Sequence, residues 1–340
     1  MKTYRYCDAP LEVHGLPFYS VNGLLERLPH DVIENLKAEN PTSGVIGLQK
    51  RTPGARVLFR TNSRKFTVRI ELASINPDVG MSIFACQAVN VMIGPHKTAR
   101  FAGLVNPPDY KTLSAEKTFT KSGETEDIAL WLPRNEHVNN IEIDVEDDAL
   151  VEAPTPYKYP PILFYGSSIT EGGCCCRVTN VYNAIISGDL DVDFYNFGFS
   201  GSARGELSIA DCIKDIPMSI FVYDYDHNAP TPEHLGKTHE PFFRRIREKN
   251  PDLPVIMITR PSYHDSADAD RRAEIIHTTY RNALDSGDRN VYFVDGRKFF
   301  GDRGALCSCD DCHPNDLGFY MMAETIKPIV KQILESRYGK

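Results

Sequence analysis

Apolar and polar positions alternate in two stretches of the first half of the chain, 55–61 (ARVLFRT) and 66–72 (FTVRIEL). A period of two marks strands with one buried face. The polar Asn62-Ser63-Arg64-Lys65 between them predicts a hairpin turn. Further short strands are predicted at 83–88, 89–93, 127–132 and 140–145, so this part of the chain reads as a small, jelly-roll-like β-sandwich. The lone Trp131, in IALWLP, would serve as a sugar platform or as a core residue, and the core is the simpler reading.

The pattern changes after residue 153. Pro154, Pro156, Pro160 and Pro161 crowd one short segment, which disfavours both a continuing helix and a central strand and sets a border between domains 1–155 and 156–340. Beyond it, short apolar runs at 162–165, 192–197, 219–223, 254–259 and 290–294 alternate with helical spacing at 206–215, 232–249, 269–286 and 316–336. In the last of these, Met322, Ile326, Ile329, Val330 and Ile333 form one apolar stripe. Alternating strands and helices imply a parallel sheet covered on both faces.

Composition narrows the function. Of 340 residues, 41% are hydrophobic and 25% charged, the balance of a soluble folded protein rather than a disordered or fibrous one. Lys and Arg number 38 against 46 Asp and Glu, and no long basic run is present to neutralise phosphates, so nucleic acid is not an expected partner. The start, MKTYRYCDAPLEVHG, carries Asp8 and Glu12 where a leader would be apolar, and no stretch has the roughly 18 apolar residues of a membrane span. Nine cysteines, with Cys174, Cys175 and Cys176 adjacent and Cys307, Cys309 and Cys312 clustered, do not form a secreted disulfide framework. A cytoplasmic location, no membrane and at most a homo-oligomeric partner are the expectations.

Ligands of parallel α/β sheets bind beyond the carboxyl ends of the strands. The residues there are Gly166-Ser167-Ser168-Ile169-Thr170, Gly198-Phe199-Ser200-Gly201-Ser202, Asp224-Tyr225-Asp226-His227-Asn228 and Arg260-Pro261-Ser262-Tyr263-His264, with Asp310-Asp311-Cys312-His313 before the final helix. Together they supply a hydroxyl nucleophile, an imidazole, carboxylates, an amide and backbone donors, the parts of an acyl-transfer site. Ser168 alone would equally serve as a helix cap. A thiolate metal site from Cys307, Cys309, Cys312 and His313 with Cys174, Cys175 and Cys176, and an oxygen-rich one from Asp224, Asp226 and His227, are rival readings.

In order, Gly166-Ser167-Ser168-Ile169-Thr170, Asn196-Phe197-Gly198-Phe199-Ser200-Gly201, Tyr225-Asp226-His227-Asn228 and Asp310-x-x-His313-Pro314 resemble the four sequence blocks of the SGNH (GDSL-type) hydrolase superfamily. The likeness spans about residues 162–320 and, with a preceding sandwich, resembles its two-domain branch of carbohydrate-type esterases and some acyltransferases. Ser167 stands where the family's name-giving pattern has Asp, and Asp226 where the third block usually has Gly. The resemblance implies a flavodoxin-like α/β/α domain, with Ser168 as nucleophile, His313 as base and Asp310 as orienting acid, chosen over Ser167 and Asp311. It further implies an oxyanion hole from the Ser168 and Gly201 N–H groups and the Asn228 side chain. His227, Arg260 and His264 are candidate substrate contacts. The expected activity is hydrolysis of small acyl esters, first among them acetylated carbohydrate, without metal or organic cofactor. An acyltransferase with an alcohol acceptor, a metal-dependent hydrolase and a non-catalytic binding protein are the alternatives.

Overall fold

The computed structural model describes residues 1–264 and 266–339. Its contacts divide the chain into two compact units that exchange segments: the first comprises Met1–Arg27, Lys50–Lys158 and Cys175–Tyr195, and the second Leu28–Gln49, Tyr159–Cys174 and the chain from Asn196 onward.

The first unit holds two antiparallel sheets. One runs in the order Lys2–Arg5, Val138–Val145, Lys65–Leu72, Ser114–Thr120, and the other in the order Val151–Glu152, Arg56–Thr61, Glu126–Trp131, Val89–Ile93, Arg100–Val105, with Glu12–His14 also paired to Arg56–Thr61. Val57, Phe59, Val91 and Leu130 of one sheet join Phe66, Val68, Ile70, Ile141 and Ile143 of the other in one apolar cluster, each such side chain contributing about 1.5–3 kcal/mol on burial. The sandwich read from the sequence is present.

The hairpin is not. Arg56–Thr61 and Lys65–Leu72 lie in different sheets, and Ser63 turns the corner between them: its N–H donates to Thr61 Oγ1 at 3.1 Å, and its hydroxyl donates to Lys65 O at 2.8 Å and accepts the Glu146 N–H at 3.0 Å. Glu146 accepts the Arg64 N–H at 2.7 Å. Alternation tells which face of a strand is buried but not which neighbour it pairs with. Residues 83–86 form a short helix instead of the predicted strand, because Ser82 Oγ caps it by accepting from Phe84 N at 3.2 Å. Arg100–Val105 and Ser114–Thr120 escaped the sequence reading because most of their side chains are exposed or half-exposed. Trp131 is a core residue, 8% exposed, with its ring 6.0 Å from that of Phe194.

The sheet of the second unit is parallel, in the order Val192–Gly198, Tyr159–Gly166, Ile220–Asp224, Val255–Ile258, Val291–Val294. Numbered along the chain this is 2-1-3-4-5, the flavodoxin-like order, whose switch point lies beside the first strand. Contrary to the proline argument, that strand is interior and includes Pro160 and Pro161. The two prolines open it, before the ladder begins at Ile162↔Ile220, and need give only their carbonyls: Ser219 N donates to Pro161 O at 2.7 Å and Ser219 Oγ to Pro160 O at 2.8 Å. The helices Pro232–Lys249, Ala267–Asp285 and Asp316–Tyr338 carry side-chain caps from Thr231, Ser266 and Asn315. Leu207–Ile213 is capped from a distance, the Glu39 carboxylate accepting the Leu207 and Ser208 N–H groups at 2.9 Å each. Glu39 ends the helix His30–Glu39, whose buried side chains are Ile33 and Leu36. Among the described residues no helix is long and apolar enough to cross a membrane.

Candidate active site

The first strand of the parallel sheet ends at Gly166 and runs straight into the one-turn helix Ser168–Glu171. Ser167 is its cap, accepting the Ile169 N–H at 3.2 Å. The capping duty therefore falls on Ser167 and leaves the Ser168 hydroxyl for another partner. That partner is His313, whose Nε2 lies 2.8 Å from Ser168 Oγ. Gly198, at the end of the neighbouring strand, permits this tight turn: a Cβ there would sit 2.2 Å from Glu171 N.

His313 is held by a compact loop. Ser308 and Pro314 form an isolated antiparallel bridge, Cys309 N donates to His313 O at 3.0 Å, and Asp311 takes a left-handed φ of 64°. Asp310 Oδ2 lies 2.7 Å from His313 Nδ1, and its Oδ1 accepts the backbone N–H of His313 at 2.7 Å and of Cys312 at 3.1 Å. Burial works to raise the Asp310 pKa, but these bonds outweigh it and hold the carboxyl below its usual value. The His313 imidazole is raised to about 9: the neighbouring Cys312 side chain is the largest cause, burial opposes it, and Asp310 adds to it.

The loop after the second strand carries Gly201 in a left-handed conformation, φ 68°. Asn228 reaches that loop, its Nδ2 donating to Phe199 O at 2.8 Å, and the buried Glu171 holds it from the other side by accepting Ser200 N–H at 2.9 Å. Glu171 was not singled out in the sequence, although its place three residues after Ser168 was a usable signal.

The remaining candidates scatter. His227 is half-buried, with Nδ1 3.9 Å from Cys312 Sγ, and burial, reinforced by Arg260, pushes its pKa down to about 3, so it stays neutral. Arg260 donates to Asp268 at 2.8 Å. His264 is exposed and pairs with the equally exposed Asp311 at 2.7 Å, which separates Asp311 from the role of Asp310. The oxygen-rich cation reading has no support: Asp226 is engaged by Arg260 N at 2.9 Å and by Arg272, and Asp224 accepts from Thr170. The rival thiolate reading does not bring its cysteines together as one set either. Cys307 is buried against Met321, with sulfur atoms 3.5 Å apart, and Cys312 faces His227. Among the described residues it is Cys174, Asp310 and His313 whose ligand atoms converge.

Residues 159–331, more than half of the chain, match the model of the GDSL-like lipase/acylhydrolase family, and residues 4–151 match that of the N-terminus of SGNH-hydrolase-type esterases. The chain belongs to the GDSL-like lipase/acylhydrolase family. No curated protein matches it. Among solved structures it is similar to a protein described as a GDSL-like lipase, from Bacteroides ovatus ATCC 8483, with TM-score 0.85, 24% identity and 98% of each chain covered. It is also similar to the salicylyl-acyltransferase SsfX3 of a tetracycline biosynthetic pathway, with TM-score 0.78, 19% identity and 98% and 97% covered. A family two carbohydrate esterase from Clostridium thermocellum, solved with cellohexaose, follows with TM-score 0.61, 16% identity and 83% and 93% covered. At these identities the likeness is one of fold.

Proposed function

We propose that the protein is a serine esterase that cleaves small acyl esters, acetyl groups on a carbohydrate first among them, through an acyl-serine intermediate. The observation that carries this reading is the continuous contact from Ser168 Oγ to His313 Nε2 at 2.8 Å and from His313 Nδ1 to Asp310 Oδ2 at 2.7 Å. Such geometry suits a hydroxyl whose proton passes to a neutral imidazole as the oxygen attacks an ester carbonyl. Asp310 fixes the tautomer, with the proton on Nδ1 and the lone pair of Nε2 facing the hydroxyl.

In the first half-reaction Ser168 Oγ bonds to the carbonyl carbon, His313 takes the hydroxyl proton, and the negative oxygen is received by the N–H groups of Ser168 and Gly201 and by Asn228. One Nδ2 proton of Asn228 is spent on Phe199 O, which orients the amide and leaves the other for the substrate. Each such donor is worth about 2.7–4 kcal/mol in the transition state. Collapse breaks the bond to the alcohol, which leaves with the proton from His313. Water then attacks the acyl-serine, gives its proton to His313 and releases the acid, while Ser168 recovers its own.

The carbohydrate preference draws on the fold shared with family two carbohydrate esterases. A second reading draws on the likeness to the salicylyl-acyltransferase: an acceptor alcohol replaces water in the second half-reaction, with the same residues in the same roles. Hydrolysis of p-nitrophenyl acetate, butyrate and octanoate and release of acetate from acetylated xylo- and cello-oligosaccharides, by wild type and Ser168→Ala, test the proposal. Activity on the acetyl substrates that vanishes in the variant supports it. Turnover only in the presence of an added alcohol points to the transferase, and full activity in the variant overturns both.

A further inference from the structure

The turn that follows the proposed nucleophile brings a thiol to the base. Gly172 and Gly173 lead into Cys174, which is buried and takes a left-handed φ of 65°, a conformation unfavourable for any residue with a Cβ. Gly173 lies directly against the imidazole, since a Cβ on it would stand 2.9 Å from His313 Cδ2. Cys174 Sγ, a carboxylate oxygen of Asp310 and a ring nitrogen of His313 consequently lie within 4.8 Å of one another. Cys309 adds a second sulfur nearby, its Sγ 3.8 Å from Cys174 O.

Sulfur, nitrogen and oxygen at this spacing match the donor set of a zinc-class cation. With Zn–S near 2.3 Å and Zn–N and Zn–O near 2.0–2.2 Å, two ligands of a tetrahedral ion stand roughly 3.2–3.8 Å apart, so separations of at most 4.8 Å need to close by no more than about 1–1.6 Å, while a carboxylate oxygen 2.7 Å from the ring nitrogen opens slightly to admit the ion. We propose that Cys174, Asp310 and His313 form a binding site for a soft divalent cation, and that occupation of this site switches the esterase off. The inference rests on the proposed catalytic role of His313. Binding releases the Cys174 thiol proton to solvent, directs a lone pair of the ring and of the carboxylate to the cation, and leaves a fourth position for water. Ser168 then has no base. Removal of the cation returns the proton to the thiol and the imidazole to Ser168.

The test uses the full-length protein freed of metal by dialysis against a chelator. Zinc added alone should abolish ester hydrolysis, and EDTA should restore it. Cys174→Ala and the isosteric Cys174→Ser should keep the metal-free rate and need at least about tenfold more zinc for half-inhibition, the size of effect that follows even from loss of a supporting group around a metal. Cobalt(II) gives a readout independent of turnover: wild type should show a thiolate-to-cobalt charge-transfer band at one equivalent, and both variants should lack it. That band supports the site even if the protein proves inactive on every ester. Equal zinc sensitivity in wild type and variants, a cobalt spectrum without a thiolate band, or a band that survives in Cys174→Ala overturns the proposal.

Discussion

Asp310 grips His313 twice, one carboxylate oxygen 2.7 Å from the ring Nδ1 and the other 2.7 Å from the backbone nitrogen of the same residue. A spacing of three residues in a tight loop makes this possible, and it holds the imidazole in place. Asp310→Asn should keep the loop, because an amide oxygen still accepts from the backbone, but it loses the charge that stabilises the imidazolium. The expected result is a fall in kcat of about 100- to 10,000-fold with little change in melting temperature. A variant with near-normal kcat would take Asp310 out of the mechanism.

If His313 is the base proposed above, it should set the pH profile. His313 is raised to about 9, chiefly by the neighbouring Cys312 side chain, and as the proposed base it must be neutral to accept the Ser168 proton. Activity should therefore rise with pH through a limb whose midpoint lies above the ordinary histidine value of about 6.5. Cys312→Ala removes the largest cause and should move that limb to lower pH. A kcat/KM profile over pH 5–10 for both proteins checks this, and identical limbs would contradict the role given to Cys312.

Gly173 offers a test of positioning. An added Cβ would meet His313 Cδ2 at 2.9 Å and Ser168 O at 3.1 Å, so the ring must move away from Ser168 Oγ. Gly173→Ala should lower kcat at least tenfold, a displacement near 1 Å being enough for a loss of that order or more. Circular dichroism and melting temperature should stay close to wild type. Unaltered kinetics would mean that the imidazole has room the structure does not give it.

The first unit stands on a buried ion pair. Arg56 and Asp193 are buried and paired through Arg56 Nη2, His14 Nδ1 lies 2.7 Å from Asp193 Oδ2, and the Arg56 guanidinium sits 4.8 Å from the Trp131 ring and 4.5 Å from the Phe194 ring. Burial works to raise the Asp193 pKa, but Arg56 and His14 overcome it and hold the carboxyl below its usual range. For His14, burial works downward and Asp193 prevails, so its pKa is raised. The carboxylate's contribution to stability is present above its unfolded pKa of about 3.9 and is lost as pH falls through the lower folded value. The histidine's contribution is present below about 6.5 and is lost as pH rises through the higher folded value. Chemical denaturation against pH should show maximal stability between these limits. Arg56→Ala, which leaves a buried carboxylate without its cation, should cost about 3–5 kcal/mol, and a cost under about 1 kcal/mol would contradict the pairing.

The convergence of the candidate residues was more legible in the sequence than what holds them in place. Ser168, Asp310 and His313 stand where parallel strands and a pre-helix loop end, and topology alone sends such positions to one edge. The choice of Ser168 over Ser167 came from the resemblance and not from the local pattern, because either serine can cap a turn and only the direction of the hydroxyl decides. Gly173 gave no signal of its closeness to His313, and for Cys174 the sequence offered only a shared sheet edge, since the contact itself depends on a left-handed turn. The corner at Ser63 and the placement of His30–Glu39 with the second unit were likewise invisible, one because period-two alternation is silent about pairing, the other because two buried side chains do not tell which unit a helix joins.

The most direct test of the central claim is to ask which atom is nucleophilic. The protein would be treated with diethyl p-nitrophenyl phosphate, digested and mapped by mass spectrometry, with His313→Ala in parallel. A single diethylphosphoryl group on Ser168, formed in step with loss of esterase activity and strongly slowed in His313→Ala, is the predicted result. An adduct on Ser167 or elsewhere, or full inactivation with Ser168 unmodified, would contradict it.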